Sequence, residues 1–166
     1  MNLVKKKSKK QEAQTAKDIG GKTTIASGAL VQKGDVFNDK LLVECKTTEK
    51  DFYSLKKTTW DKIFKEAVRN SNMRIPVMRI DLMDSSAHSY AVLQECNFTL
   101  MCYGKAVYVL DIEEANEKSY RIVDISDHFV NADIIVGKHF AFDPDDGLVQ
   151  IRWSDFIKLF NMIYEK

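Results

Sequence analysis

A short apolar run, Leu41-Leu42-Val43, passes directly into Glu44-Cys45-Lys46 and is preceded, across a polar turn, by Gly34-Asp35. No other segment constrains the chain as tightly, because this one reads as a strand pair with its charges gathered at one end. Asp35 lies near the end of one strand, Phe37-Asn38-Asp39-Lys40 supplies the turn, and Leu41-Leu42-Val43 begins the return strand. Strand side chains alternate between faces, so Glu44 and Lys46 share one side and Cys45 points to the other. Two carboxylates so arranged suit Mg²⁺, which takes carboxylate, water and phosphate oxygens. The amine beside them suits an attacking water or the charge of a phosphate. A solvated hairpin rich in Asp, Glu and Lys produces the same spacing, so the pattern gains its meaning from the residues upstream.

Those residues run Lys10-Gln11-Glu12, Ala13 and Ala16, Gly20-Gly21, Ser27-Gly28-Ala29 and Lys33-Gly34-Asp35. With Asp35, Glu44 and Lys46 they resemble the PD-(D/E)xK nuclease superfamily, and in their order they are similar to archaeal-type and phage Holliday-junction resolvases. The resemblance covers about the first half of the chain, through Pro76 to Leu82. It implies an α/β fold with a mixed central β-sheet flanked by helices, a restriction-endonuclease-like core and a C-terminal α+β elaboration. It also implies a Mg²⁺-dependent, structure-selective endodeoxyribonuclease, with Mn²⁺ able to substitute, acting on branched or duplex DNA; a restriction-like, repair or nicking nuclease and a non-catalytic nucleic-acid-binding protein on a nuclease fold are the alternatives. By the same resemblance Asp35, Glu44, the helix-borne Glu12 and the backbone carbonyl of Cys45 hold the ion. Lys46 then orients the nucleophile or stabilises developing charge, and Ser27 and Gly28 meet a phosphate. Gly34 replaces the superfamily's proline, a change that affects only the turn into the strand.

The Ala26-Ser27-Gly28-Ala29 loop lets backbone N–H groups approach a phosphate closely; read alone, it is equally an ordinary turn. Lys22 and Lys33 flank the motifs, as do Lys50, Lys56 and Lys57, and can contact phosphates, although charged surface is usually only solvated surface. The near-neutral net charge of +1 hides an asymmetry. Lys5, Lys6, Lys7, Lys9 and Lys10 open the chain without an acid, whereas Asp111, Glu113, Glu114, Glu117, Asp143, Asp145 and Asp146 make the last third acidic. The lysine run reads as a polyanion-binding arm, or as a solubilising tail or localisation signal.

With 166 residues the chain suits one core. The expected organisation is a basic arm at 1–7, a nuclease core at 8–84, and residues 85–166 as an elaboration of the same domain or a small second lobe. Cys45, Cys96 and Cys102 have neither disulfide nor zinc spacing. His88, His128 and His139 likewise lack ligand spacing, and Asp143-Pro144-Asp145-Asp146-Gly147 reads as a hairpin turn rather than a calcium loop. No run approaches the roughly eighteen apolar residues that span a bilayer. The expectation is a soluble, cytoplasmic protein, in the host cytoplasm if phage-encoded, with no membrane partner. Paired cutting of a two-fold junction favours a homodimer.

Periodicity predicts a helix over Ser8–Ile19, capped by Ser8 and stopped by Gly20-Gly21. Strands are expected at Thr23–Ala26, Lys33–Phe37 and Lys40–Thr47, then a helix over Tyr53–Asn70 and a strand over Ile75–Leu82 that arrives by a crossover to a parallel neighbour. Further strands are read at Tyr90–Gln94, Ala106–Ile112, Ser119–Ile125 and Ile134–Val136, with a short helix at Phe98–Tyr103. A hairpin over Lys138–Trp153 and a closing amphipathic helix carrying Phe156, Ile157, Phe160 and Ile163 complete the chain. Trp153, Phe156 and Phe160 are read as core rather than as a base-stacking platform.

Overall fold

Near-continuous burial along the central strands gives a sheet covered on both faces. In the computed structural model, which describes residues 2–24, 35–69, 73–114 and 118–164, eight strands run in the order β1-β2-β3-β5-β6-β10-β9-β7. They are β1 (Lys22–Thr23), β2 (Val36–Phe37), β3 (Leu41–Thr47), β5 (Ile75–Asp81), β6 (Ser89–Gln94), β7 (Val107–Glu114), β9 (Ile135–Ala141) and β10 (Gly147–Arg152). Two more, β4 (Phe52–Lys56) and β8 (Ser119–Val123), form a separate antiparallel ribbon. The helices are α1 (Leu3–Ile19), α2 (Lys57–Val68), α3 (Glu95–Met101) and α4 (Trp153–Tyr164). The architecture is mixed α/β, a large mixed sheet flanked by helices.

Successive residues of one strand serve opposite cores. On β6, Ala91 and Leu93 join a cluster with Val43, Cys45, Phe98, Trp153, Phe156 and Phe160. Tyr90 and Val92 join the other, with Leu55, Trp60, Ile63, Ile122 and Phe140. Each fully buried Leu, Ile or Phe contributes about 1.5–3 kcal/mol. The first cluster lies on the side of α1, α3 and α4, and the second lies under α2 and the β4–β8 ribbon. Trp153, Phe156 and Phe160 are core residues, as read.

The β2–β3 hairpin and the parallel β3–β5 pair joined through α2 form as expected. So does the β9–β10 hairpin, whose turn closes with Asp146 N–H donating to the Asp143 carbonyl at 3.1 Å. Two expectations are corrected. Helix α1 starts at Leu3, not Ser8, because Asn2 caps it by accepting the Val4 N–H at 3.0 Å, an interaction that contributes about 1 kcal/mol. The lysine run is therefore the first turns of a helix, and Lys7 is tied to Asp84 at 2.6 Å. Gly20 stops the helix in the left-handed conformation, φ 64°, where a side chain costs ~1–2 kcal/mol. The helix read over Tyr53–Asn70 is instead a strand followed by a shorter helix. Phe52–Lys56 pairs with β8, and α2 buries Trp60, Ile63 and Ala67 at helical spacing.

Candidate active site

The charged residues meet because of one turn. Asn38 Oδ1 accepts N–H bonds from Lys40 (2.8 Å) and Leu41 (2.7 Å), and Asn38 Nδ2 donates to the Ile19 carbonyl at the end of α1 (3.0 Å). The turn fixes the register Val36↔Val43, which sets Asp35 beside Glu44, with Asp35 N–H donating to the Val43 carbonyl at 3.1 Å. Asp35 Oδ2 accepts the Cys45 N–H at 2.7 Å. Alternation along β3 does the rest: Glu44 and Lys46 project together, their carboxylate and amine 3.3 Å apart, while Cys45 is buried on the opposite face against Thr15.

Glu12 enters from α1, its Oε1 accepting a hydrogen bond from Ser8 Oγ at 3.3 Å. Burial raises its carboxyl above the ordinary range, and the Asp35 charge raises it further. Burial also raises Asp35, against the opposing pull of the Cys45 N–H and the Lys46 charge. Glu44 is raised by burial and then by Asp35. Partial burial works against the Lys46 charge, but Glu44 and Tyr53 outweigh it and hold the amine above its usual range. These four residues share one electrostatic field in which three partly desolvated carboxylates face one amine.

Among the described residues no three His, Cys, Asp or Glu side chains converge into a ready metal cage. Asp35 accepts the Cys45 N–H, and Glu44 pairs with Lys46. Lys10 and Lys22 are exposed, on α1 and β1 respectively. Ser27, Gly28 and Lys33 lie outside the described residues.

Three residues at the site escaped the sequence reading of it. Tyr53, on β4, lies within electrostatic range of Lys46 and Glu44. From α2, Lys62 acts on Asp35 and Glu66 acts on Glu44. Periodicity puts Tyr53 in a helix, and only the pairing of β4 with a strand some seventy residues later brings it here; no local signal carries that.

Behind the site a second polar cluster fixes α1. Arg79, nearly inaccessible, donates to Asp81 (3.1 Å), Ser89 (3.1 Å), Thr15 (3.0 Å) and Asp18 (3.2 Å). Trp153 Nε1 donates to Asp18 at 2.9 Å. Gln11 Nε2 donates to the Lys46 carbonyl at 2.7 Å. The buried face of α1 is thus Gln11, Thr15 and Ile19, so polar contacts more than apolar area orient the helix that carries Glu12.

No family model, curated protein or solved structure matches the chain. No helix among the described residues is long and apolar enough to cross a membrane.

Proposed function

We propose that the chain is a Mg²⁺-dependent endonuclease that cleaves phosphodiester bonds in branched DNA, in the manner of Holliday-junction resolvases, on a restriction-endonuclease-like core formed by α1, β2, β3, α2 and β5. The observation that carries this reading is the convergence of Asp35, Glu44 and Lys46 on adjacent strands, with Glu12 in the same field from α1. The donor set fits a hard divalent cation: all its side-chain groups are oxygen donors, and burial together with mutual repulsion disfavours their charge unless a cation offsets it. Asp35, Glu44 and Glu12 would hold the ion, with the Cys45 carbonyl as a further donor by resemblance.

When bound, the ion supplies an activated water and neutralises charge on the phosphate. Lys46, kept protonated by Glu44, stabilises negative charge developing on the phosphate or orients the attacking water. Asp35 and Glu44 hold their positions through the hairpin register, and Glu12 through the network beneath α1. Cuts on two opposed strands of a four-way junction call for a homodimer in which each protomer contributes its own set of these residues.

A nucleic-acid-binding protein on the same fold that does not cleave is the alternative from another class. A restriction-like, repair or nicking nuclease would keep the chemistry and change the substrate. Incubating purified protein with a four-way junction and a matched linear duplex, with Mg²⁺, with Mn²⁺ and with EDTA, separates all three. Metal-dependent cleavage confined to the junction is expected. Cleavage of both substrates moves the assignment to another nuclease, and binding without cleavage moves it to the non-catalytic reading.

A further inference from the structure

After Thr47 the chain leaves the main sheet and builds one strand of a two-stranded ribbon. The turn between them is clamped to the end of β5: Thr48 N–H donates to the Asp81 carbonyl (3.0 Å), Asp84 N–H to the Thr48 carbonyl (2.9 Å) and Met83 N–H to the Lys50 carbonyl (2.9 Å). The ribbon is therefore held in a fixed relation to the strand that carries Glu44 and Lys46. From Lys46 to Phe52 is at most ~20 Å of extended chain, a span of roughly six nucleotides along one DNA strand. One DNA arm can contact both.

Register separates the ribbon's two faces. Tyr53, Leu55, Tyr120 and Ile122 face the core, with Leu55 and Ile122 fully buried. Phe52, Ser54 and Lys56 share the outer face with Ser119 and Arg121, while Val123 at the ribbon's end packs against the core. There the Arg121 guanidinium sits 4.0 Å from the centre of the Phe52 ring, and Lys50 Nζ lies 5.3 Å from the same ring. Lys50, Lys56 and Arg121 are exposed. Among the described residues none of the three has a carboxylate partner, which they share with other exposed lysines such as Lys10 and Lys22. Of the neighbouring acids, Glu49 lies 4.0 Å from Lys7, Asp124 is taken up by Tyr90, Ser126 and His88, and Asp51 is exposed in the turn.

We propose that the outer face of the β4–β8 ribbon is a phosphate-backbone contact for the DNA arm that leads into the candidate active site, with Lys50, Lys56 and Arg121 as the contacting charges and Phe52 as the platform that positions two of them. The choice of DNA as the polyanion rests on the nuclease reading above. Aromatic faces attract Lys and Arg through the ring quadrupole, so Phe52 holds Arg121 and Lys50 at one edge of the ribbon while Lys56 marks the other end. Contacts of this kind fix position without reading sequence, which is what selection by DNA shape requires.

The test uses the full-length triple variant Lys50→Gln/Lys56→Gln/Arg121→Gln, and Phe52→Leu separately. Binding of a labelled four-way junction is followed by fluorescence anisotropy in Ca²⁺ over a salt series, and single-turnover cleavage is followed in Mg²⁺ at saturating protein. The triple variant is expected to bind about tenfold or more weakly, with a log K against log salt slope shallower by about 2–3, while the saturated cleavage rate stays at the wild-type level. Phe52→Leu is expected to lose affinity by about threefold without a change in slope. Arg121→Gln alone, on an outer strand face, is expected to shift the slope by about one and serves if the triple variant melts early. Wild-type affinity and slope in these charge variants overturn the ribbon contact. Absence of metal-dependent cleavage in the wild-type protein overturns the nuclease reading instead, and the binding series still decides the ribbon.

Discussion

Two polar clusters meet at β3, β5 and α1, and they are built on opposite principles. Arg79, beside Cys45 in the parallel register, faces α1 and meets a partner at every turn: Asp18, Asp81, Ser89 and Thr15, with Trp153 completing Asp18. Glu12, Asp35, Glu44 and Lys46 do not balance in this way. Among the described residues each carboxylate there has one hydrogen-bonding partner, Ser8, the Cys45 N–H and Lys46 respectively, and burial raises all three pKa values. A satisfied buried network orients a fold. Carboxylates crowded at a partly open sheet edge cost stability, and such groups are characteristic of sites that bind or react.

The contrast can be broken first at the active-site cluster. Asp35→Asn and Glu44→Gln should each lower junction cleavage on the order of a hundredfold or more, because each removes a ligand charge, while junction binding is kept or tightened. Single-turnover cleavage in Mg²⁺ beside gel shift in Ca²⁺ measures both. Lys46→Ala should likewise reduce the saturated rate far more than the affinity, since its contribution belongs to the transition state.

The Arg79 cluster should respond in stability instead. Arg79→Met leaves buried Asp81 and partly buried Asp18 without their shared cation, and losing one partner of such a network costs about 3–5 kcal/mol. Chemical denaturation should show this loss, whereas Glu44→Gln should stay within about 1 kcal/mol of wild type. A smaller effect concerns pH. Glu12, Asp35 and Glu44 have folded-state pKa values above their ordinary 4.5, 3.8 and 4.5. Between the ordinary and the raised values the folded chain holds more protons than the unfolded one, so their contribution to stability falls as pH rises through that window. Glu44→Gln should flatten that decline in melting profiles taken from about pH 4 upward. Mg²⁺ or Ca²⁺ should raise the melting temperature of wild-type protein more than that of Asp35→Asn; equal shifts would dissociate the carboxylates from cation binding.

The same comparison explains what the sequence disclosed. Asp35, Glu44 and Lys46 were legible because a hairpin brings neighbours in sequence together and strand alternation decides which side chains share a face. The sheet core, the parallel crossover and the closing helix were legible from periodicity. The Arg79 cluster was not: Arg79 and Asp18 are separated by 61 positions and Trp153 and Asp18 by 135, and nothing local marks them as partners. Tyr53 was lost for a related reason, since Phe52–Lys56 becomes a strand only by pairing with Ser119–Val123. The early start of α1 turned on a single cap, Asn2, against a lysine run that by itself reads as an arm. Truncating residues 1–7 would therefore remove the cap and the Lys7–Asp84 contact together, and would not isolate the contribution of the charges.

The most direct test of the central claim is single-turnover cleavage of a labelled four-way junction in Mg²⁺ by wild-type protein and by Glu44→Gln, both at concentrations that saturate binding. The account predicts paired cuts by the wild type and, from a variant that binds as well or better, a rate lower by on the order of a hundredfold or more. Equal rates from the two proteins, or no cutting by the wild type on junction or duplex, would contradict it.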